Sequence, residues 1–328
     1  MDFELSEDEA ALAAGIRSLC AGRFPLDRLR AAEGGAGLLD TEAWSELAEA
    51  GVFSLQVPEA AGGVGLGMAA GAVVFEELGR ALVPGPVLAS HLAAGIVDGA
   101  AEGKVVVGAV RRPAPTGTGA LVPTLIGHLS SLGVLVVVGE DGLSAVDPDE
   151  LEAVALARSL DPLTPLWRVD RLPVGRPIGG VEEARAWRRG QCVLGGALLV
   201  GLAAGTMELA VAYAKQREQF GKPIGSFQAV KHMCADMLVA AETARAAVHA
   251  AAVTIDQPGV GDPDRAAAGA GLLAAEAAIK NGKISIQVHG GMGFTWEVPA
   301  HLYLMRARVL AQEIGPVDDL AELVAKLY

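Results

Sequence analysis

Eight of the chain's prolines fall at positions 113, 115, 123, 148, 162, 165, 173 and 177. Proline lacks an amide hydrogen and clashes with the preceding helical turn, so few helices survive in that interval. Val105-Val106-Val107, just before it, and Val134 through Val138, within it, are short branched runs bounded by Gly, Pro and Asp. Such runs read as strands. On either side the spacing of apolar residues is helical. The predicted fold class is therefore mainly α with a small β insert, divided into an N-terminal helical domain over 1–98, a reduced β domain over 99–181 and a C-terminal helical bundle over 182–328.

Local signals place the helices. Ser6 with Glu9 forms a capping box ahead of a helix carrying Ile16 and Leu19. Asp40, after a glycine-rich break at 34–38, is an N-cap for the helix holding Trp44 and Leu47. The glycines between Val57 and Gly67 do not fit G-x-G-x-x-G in register, so they read as a loop before a helix over 68–82. Further on, one long helix is predicted over 183–217 and a second from Ser226, with Val230, Cys234, Met237 and Ala241 on one stripe. A third opens at Asp262-Pro263 and ends at Gly290-Gly291. A helix over 298–313 and a short one after it close the chain.

Composition removes several function classes. Net charge is −13, which argues against nucleic acid, a ligand bound through clustered Lys and Arg. The residues are 52% hydrophobic but only 4% aromatic, so the core is built from small side chains that let helices approach closely. The uncharged stretch from Gln191 to Met207 is at the short end for a membrane span and runs into an amphipathic pattern, so it reads as a buried bundle helix. Three widely spaced cysteines, Cys20, Cys192 and Cys234, fit a reducing cytoplasm. The acidic N-terminal segment has no signal-peptide pattern. His232 and His289 have no second ligand at metal-binding spacing and are expected to pack or hydrogen-bond.

Two motifs carry the chemistry. Arg217-Glu218-Gln219-Phe220-Gly221-Lys222-Pro223-Ile224 is followed by Phe227-Gln228, and Gln287-Val288-His289-Gly290-Gly291-Met292-Gly293-Phe294 lies 70 positions after Arg217. In that order and spacing they resemble the flavin-contacting signatures of the acyl-CoA dehydrogenase family. Val57-Pro58-Glu59, Ser159-Leu160-Asp161-Pro162 and Arg168-Val169 resemble further segments of that family. The resemblance implies an FAD enzyme that dehydrogenates an acyl-CoA thioester, passing electrons to an electron-transfer flavoprotein. It implies that Arg217 approaches the pyrophosphate, a task that suits a guanidinium fork. Gln219, Phe220 and Gln228 would line the same pocket. Gln287, Val288, Gly290 and Gly291 would hold its other edge, the glycines permitting close backbone approach.

The same resemblance exposes losses. The family's usual catalytic glutamate corresponds to Ile314 or Gly315. Glu313 is adjacent, but one helical step turns a side chain by roughly 100°. The family's alternative base position holds Gln191. The segment Gly108 to Gly119 matches the family's flavin-ring motif poorly. The kept residues are those that serve a neighbouring subunit. The expected function is thus the non-catalytic chain of a heteromeric enzyme, resembling the shortened subunits of steroid-side-chain dehydrogenases, paired with a full-length chain in a heterotetramer. Two alternatives stand beside it: a self-associating enzyme using Glu313, and a flavin-free helical scaffold.

Overall fold

The computed structural model describes residues 5–31, 39–113, 123–257 and 259–326. The described residues form two compact units. One holds those up to Arg30, Met68–Val83 and those from Cys192 onward; the other holds Ala31, residues 39–67 and Pro84–Gln191.

The second unit contains α3 (Thr41–Glu49), α5 (Val87–Ala93) and seven strands. Strands β1 (Val107–Arg111), β3 (Val134–Val138), β4 (Leu143–Val146) and β7 (Arg176–Gly179) form one sheet in the order β1-β3-β4-β7. β1 and β3 are parallel and the other pairs antiparallel. β2 (Thr124–Gly127), β6 (Leu166–Val169) and β5 (Ala153–Ala155) make a second, antiparallel sheet.

The unbroken valine run of β3 has a physical reason. Val136 and Val138 face a core with Ala184 and Trp187, while Leu135 and Val137 face another with Ile126 and Val169. A strand buried on both faces needs no polar alternation. The strand expected at Val105–Val107 instead begins at Val107 and runs to Arg111. The Val105 amide is taken by the Gly99 carbonyl, closing a turn, so the ladder cannot start earlier. At that start, the Val107 amide donates to Ser90 Oγ at 2.9 Å, and Ser90 Oγ lies 3.2 Å from the Val107 carbonyl. Ser90 thus satisfies backbone groups on an edge strand.

The first unit is helical: α1 (Glu7–Arg23), α4 (Met68–Arg80), the long α6 (Val181–Gln216) from Cys192 onward, α7 (Gln228–Asp256), α8 (Pro263–His289), α9 (Ala300–Ile314) and α10 (Val317–Lys326). The short α2 (Leu26–Ala31) follows α1. The caps at Ser6, Asp40 and Asp262 hold as the sequence predicts. α6 is the buried helix expected, with 83% of its most apolar 18-residue stretch buried.

Small residues set the α4–α6 distance. A Cβ on Gly79 would stand 2.0 Å from the Leu198 carbonyl oxygen, and one on Gly201 would stand 2.0 Å from the Glu76 carbonyl oxygen. Asn281 on α8 then ties the bundle, its Nδ2 donating to Ala203 O of α6 at 3.1 Å and to Met237 O of α7 at 2.9 Å. Glu76 and Glu77 are buried on α4. Glu77 pairs with Arg17 at 2.7 Å and Glu76 with Arg80 and Arg245, each at 2.9 Å. Burial of such carboxylates is tolerated only with partners of this kind.

Candidate functional site

At the C-terminal end of α6 the Arg217 amide donates to the Tyr213 carbonyl at 2.8 Å, and the Ile224 amide donates to the Arg217 carbonyl at 2.7 Å. Between them lies a two-residue hairpin, β8 (Glu218–Gln219) against β9 (Lys222–Pro223). Its central residues, Phe220 and Gly221, have φ of 54° and 75°. Positive φ at both positions is the signature of a type I′ turn, usually filled by Asn-Gly. A phenylalanine there costs about 1–2 kcal/mol of backbone strain. Its ring is nonetheless 91% exposed, so burial of the side chain offsets none of that cost. The ring meets Phe227 edge-on at 6.1 Å, and Lys222 Nζ sits 4.5 Å above Phe227.

The second motif closes α8. His289 is buried, and its Nδ1–H donates to the Ser285 carbonyl at 2.7 Å. Burial holds its pKa below the ordinary histidine value. It is a packing and hydrogen-bonding residue, as expected. Gln287, Gly290 and Gly291 face solvent, whereas the Val288 side chain is 6% exposed and packs with Ala210, Ala214 and Met237. Val288 can therefore offer a ligand only its backbone. Gly290 takes φ of 60°, and a Cβ on Gly290 or Gly291 would meet nothing within 4 Å. Gly293 is different: a Cβ there would lie 2.4 Å from the Ile286 carbonyl oxygen, so it serves packing.

The two motifs meet through Tyr213, whose ring lies 4.3 Å from that of His289. The structure thus brings the hairpin and the α8 terminus to one core. Arg217, Gln219, Phe220 and Gln228 are all exposed. Among the described residues the Arg217 guanidinium has no ion-pair partner, while Gln219 folds its amide onto the Glu218 carbonyl at 2.8 Å. The donor set fits a flavin dinucleotide: an uncommitted guanidinium for phosphate, an exposed strained aromatic for a planar base, and open glycine backbone. Sequence reasoning missed Tyr213, whose role arises from its tertiary ring contact with His289, and gave Lys222 no role within the motif.

The base position is occupied differently. Ile314, 5% exposed, places its Cδ1 3.5 Å from where a Cβ on Gly271 would stand, and the Cys192 thiol lies 3.6 Å from the Ile314 carbonyl oxygen. Gly315 follows at φ of 132° and supplies no side chain. Glu313 is exposed on α9. An α-proton abstractor must stand dry and aimed, and an exposed carboxylate meets neither requirement. Gln191 lies on α6 and carries an amide. In the segment 108–119, Arg112 donates to the Pro173 and Val174 carbonyls at 3.1 and 3.0 Å. Residues 114–119 lie outside the described residues.

Comparison with known proteins adds the following. The model of the acyl-CoA dehydrogenase N-terminal domain matches residues 6–102, and that of the C-terminal domain matches residues 190–326. The acyl-CoA dehydrogenase IpdE2 of Mycolicibacterium smegmatis is 32% identical over 337 residues, covering 99% of this chain and 100% of that protein. The acyl-CoA dehydrogenase FadE34 of Mycobacterium tuberculosis is 37% identical over 295 residues, covering 84% of this chain but 41% of FadE34. This chain thus spans less than half of FadE34 and the full length of IpdE2. Among solved structures, a chain of the ChsE4–ChsE5 complex from Mycobacterium tuberculosis superimposes with a TM-score of 0.84 at 23% identity, over 99% of this chain and 98% of that one. At that identity the likeness concerns the fold.

Proposed function

The chain belongs to the acyl-CoA dehydrogenase family, and from that premise we propose that it is the non-catalytic subunit of an FAD-dependent acyl-CoA dehydrogenase, completing the flavin site of a full-length partner chain. The observation that carries this reading is a contrast within one helical unit. Arg217, Phe220, Gln228, Gln287, Gly290 and Gly291 are open to solvent, while neither candidate for the base position holds a carboxylate: Ile314 is buried and apolar and Gly315 has no side chain.

FAD, when bound, accepts the hydride equivalent released from the β-carbon of the acyl thioester. This chain's part is to bind and orient. Arg217 neutralises pyrophosphate charge with a fork of donors. Phe220 offers a face for the adenine. The backbone at Gly290 and Gly291 approaches the cofactor without a side chain between. The partner supplies the carboxylate that takes the α-proton, because no dry carboxylate stands at the base position here.

A partner surface is supported by α7. Only 28% of its most apolar 18-residue stretch is buried, and Leu238 and Val239 are exposed on it. Apolar faces of this kind mark association surfaces. The assembly is proposed to be a cytoplasmic heterotetramer that passes electrons to an electron-transfer flavoprotein. Its substrate would be an acyl-CoA of the steroid-side-chain class, by resemblance to the shortened subunits of that group. The test is reconstitution of acyl-CoA oxidation from this chain and a full-length dehydrogenase chain encoded beside it. Activity in the mixture and in neither chain alone supports the subunit reading. Activity of this chain alone overturns it and returns attention to Glu313.

A further inference from the structure

Gln228 is the first residue of α7, and His232 follows one turn later on the same face. The Gln228 carboxamide nitrogen lies 2.7 Å from Nε2 of His232. A carboxamide nitrogen can only donate. His232 Nε2 is therefore the acceptor of this hydrogen bond. The consequence falls on the other end of the amide. The nitrogen is engaged along the helix, and the carboxamide oxygen has no partner among the described residues. Both residues are exposed, beside the Phe227 ring and the Phe220 turn.

We propose that His232 is a positioning residue that locks the Gln228 amide with its oxygen outward, so that Gln228 recognises a hydrogen-bond donor of the flavin dinucleotide, a ribose or ribityl hydroxyl or the adenine amine, and not a phosphate oxygen. The inference rests on the proposed function, in which Gln228 faces the cofactor. It divides the labour between two neighbouring groups. Arg217, a pure donor, takes the phosphate. Gln228, fixed as an acceptor, takes a hydroxyl or amine. An unfixed glutamine could present either atom and would discriminate less. Orientation by a second side chain removes that ambiguity before the cofactor arrives, as the hydrogen-bond partners of metal-ligating histidines fix those rings.

The test uses the complex with the full-length chain and reads the FAD dissociation constant by flavin fluorescence. Two variants lock the amide in opposite senses. His232→Glu only accepts and keeps the oxygen outward; His232→Lys only donates and turns the nitrogen outward. Simple electrostatics predicts the reverse ranking, since FAD is an anion. The expected result is that His232→Glu stays within about threefold of the parent while His232→Lys weakens FAD about tenfold, the loss of one correctly paired hydrogen bond. In a Gln228→Ala background the difference between the two should vanish. Tighter binding by His232→Lys, or equal binding by both in the presence of Gln228, overturns the inference. If Gln228→Ala itself leaves FAD affinity unchanged, the placement of Gln228 at the cofactor fails instead. Should the charged variants fail to assemble, His232→Gln, which can accept, is expected to bind FAD within about threefold, and a tenfold loss there overturns the inference.

Discussion

The rings of Tyr213 and His289 lie 4.3 Å apart, tilted by 31°, and through this contact the end of α6 is joined to the end of α8. Tyr213 also receives the Arg217 amide on its carbonyl, while His289 precedes the open Gly290-Gly291 pair. One contact therefore sets the spacing of the two segments proposed to hold the cofactor.

Replacing Tyr213 by leucine keeps apolar bulk and removes the ring pair. A loss of about 1 kcal/mol is expected, the usual worth of an aromatic contact beyond its burial. Urea unfolding measures it, and a double-mutant cycle with His289→Leu should return a coupling of similar size. FAD affinity of the complex should fall as the two segments lose register. Unchanged affinity with reduced stability would confine the pair to packing.

Arg217→Ala removes an exposed guanidinium and no core contact. The complex should assemble normally, by size-exclusion chromatography, and lose FAD during the same run. About tenfold weaker binding is expected for a lost charge-assisted contact to phosphate. A complex that retains its flavin in this variant excludes the cross-subunit role.

Ile314→Glu restores a carboxylate to one of the two positions, Ile314 or Gly315, that correspond to the family's base. It places that carboxylate at a buried position beside Gly271, where burial pushes its pKa up. A lower melting temperature is expected, with no dehydrogenase activity of the chain alone. A turnover signal from this single variant would show that the base was the only missing part.

His91 gives a pH dependence unrelated to the cofactor. Its Nδ1 lies 2.7 Å from the Val52 carbonyl and its Nε2 2.8 Å from the Gln56 side chain, in full burial that lowers its pKa to about 4. Between about 4 and the unfolded value of 6.5 the unfolded chain binds more protons, so stability rises with pH across that window. The contribution is complete above 6.5 and is lost as pH falls toward 4; its size is on the order of 3 kcal/mol. Denaturant unfolding at a series of pH values should show the slope, and His91→Gln should flatten it. An identical slope in the variant would assign the dependence to other groups.

How far the sequence reached depends on the range of each interaction. The capping box at Ser6 and Glu9, the Asp262-Pro263 start and the Gly290 stop are settled within a few residues, and all were legible. β1 was placed early, because its start depends on the Val105 amide being taken by Gly99, a turn with no strong composition signal. The glycines at 79 and 201 were legible only as small-residue content; their pairing across α4 and α6 is tertiary. The same holds for the Asn281 tie and the buried Glu76. In the site, the motif residues were found by spacing, but three facts needed coordinates. Val288 spends its side chain on the core, Phe220 occupies a left-handed turn position, and Gln228 is held by His232.

The most direct test of the central claim is the flavin-to-protein ratio of the purified chain, read from its visible absorbance alone and after assembly with a full-length dehydrogenase chain. The account predicts a colourless chain alone and a yellow complex whose flavin is bleached by an acyl-CoA. One FAD per copy in the isolated chain, bleached by substrate, would contradict it and show that this chain completes its own site.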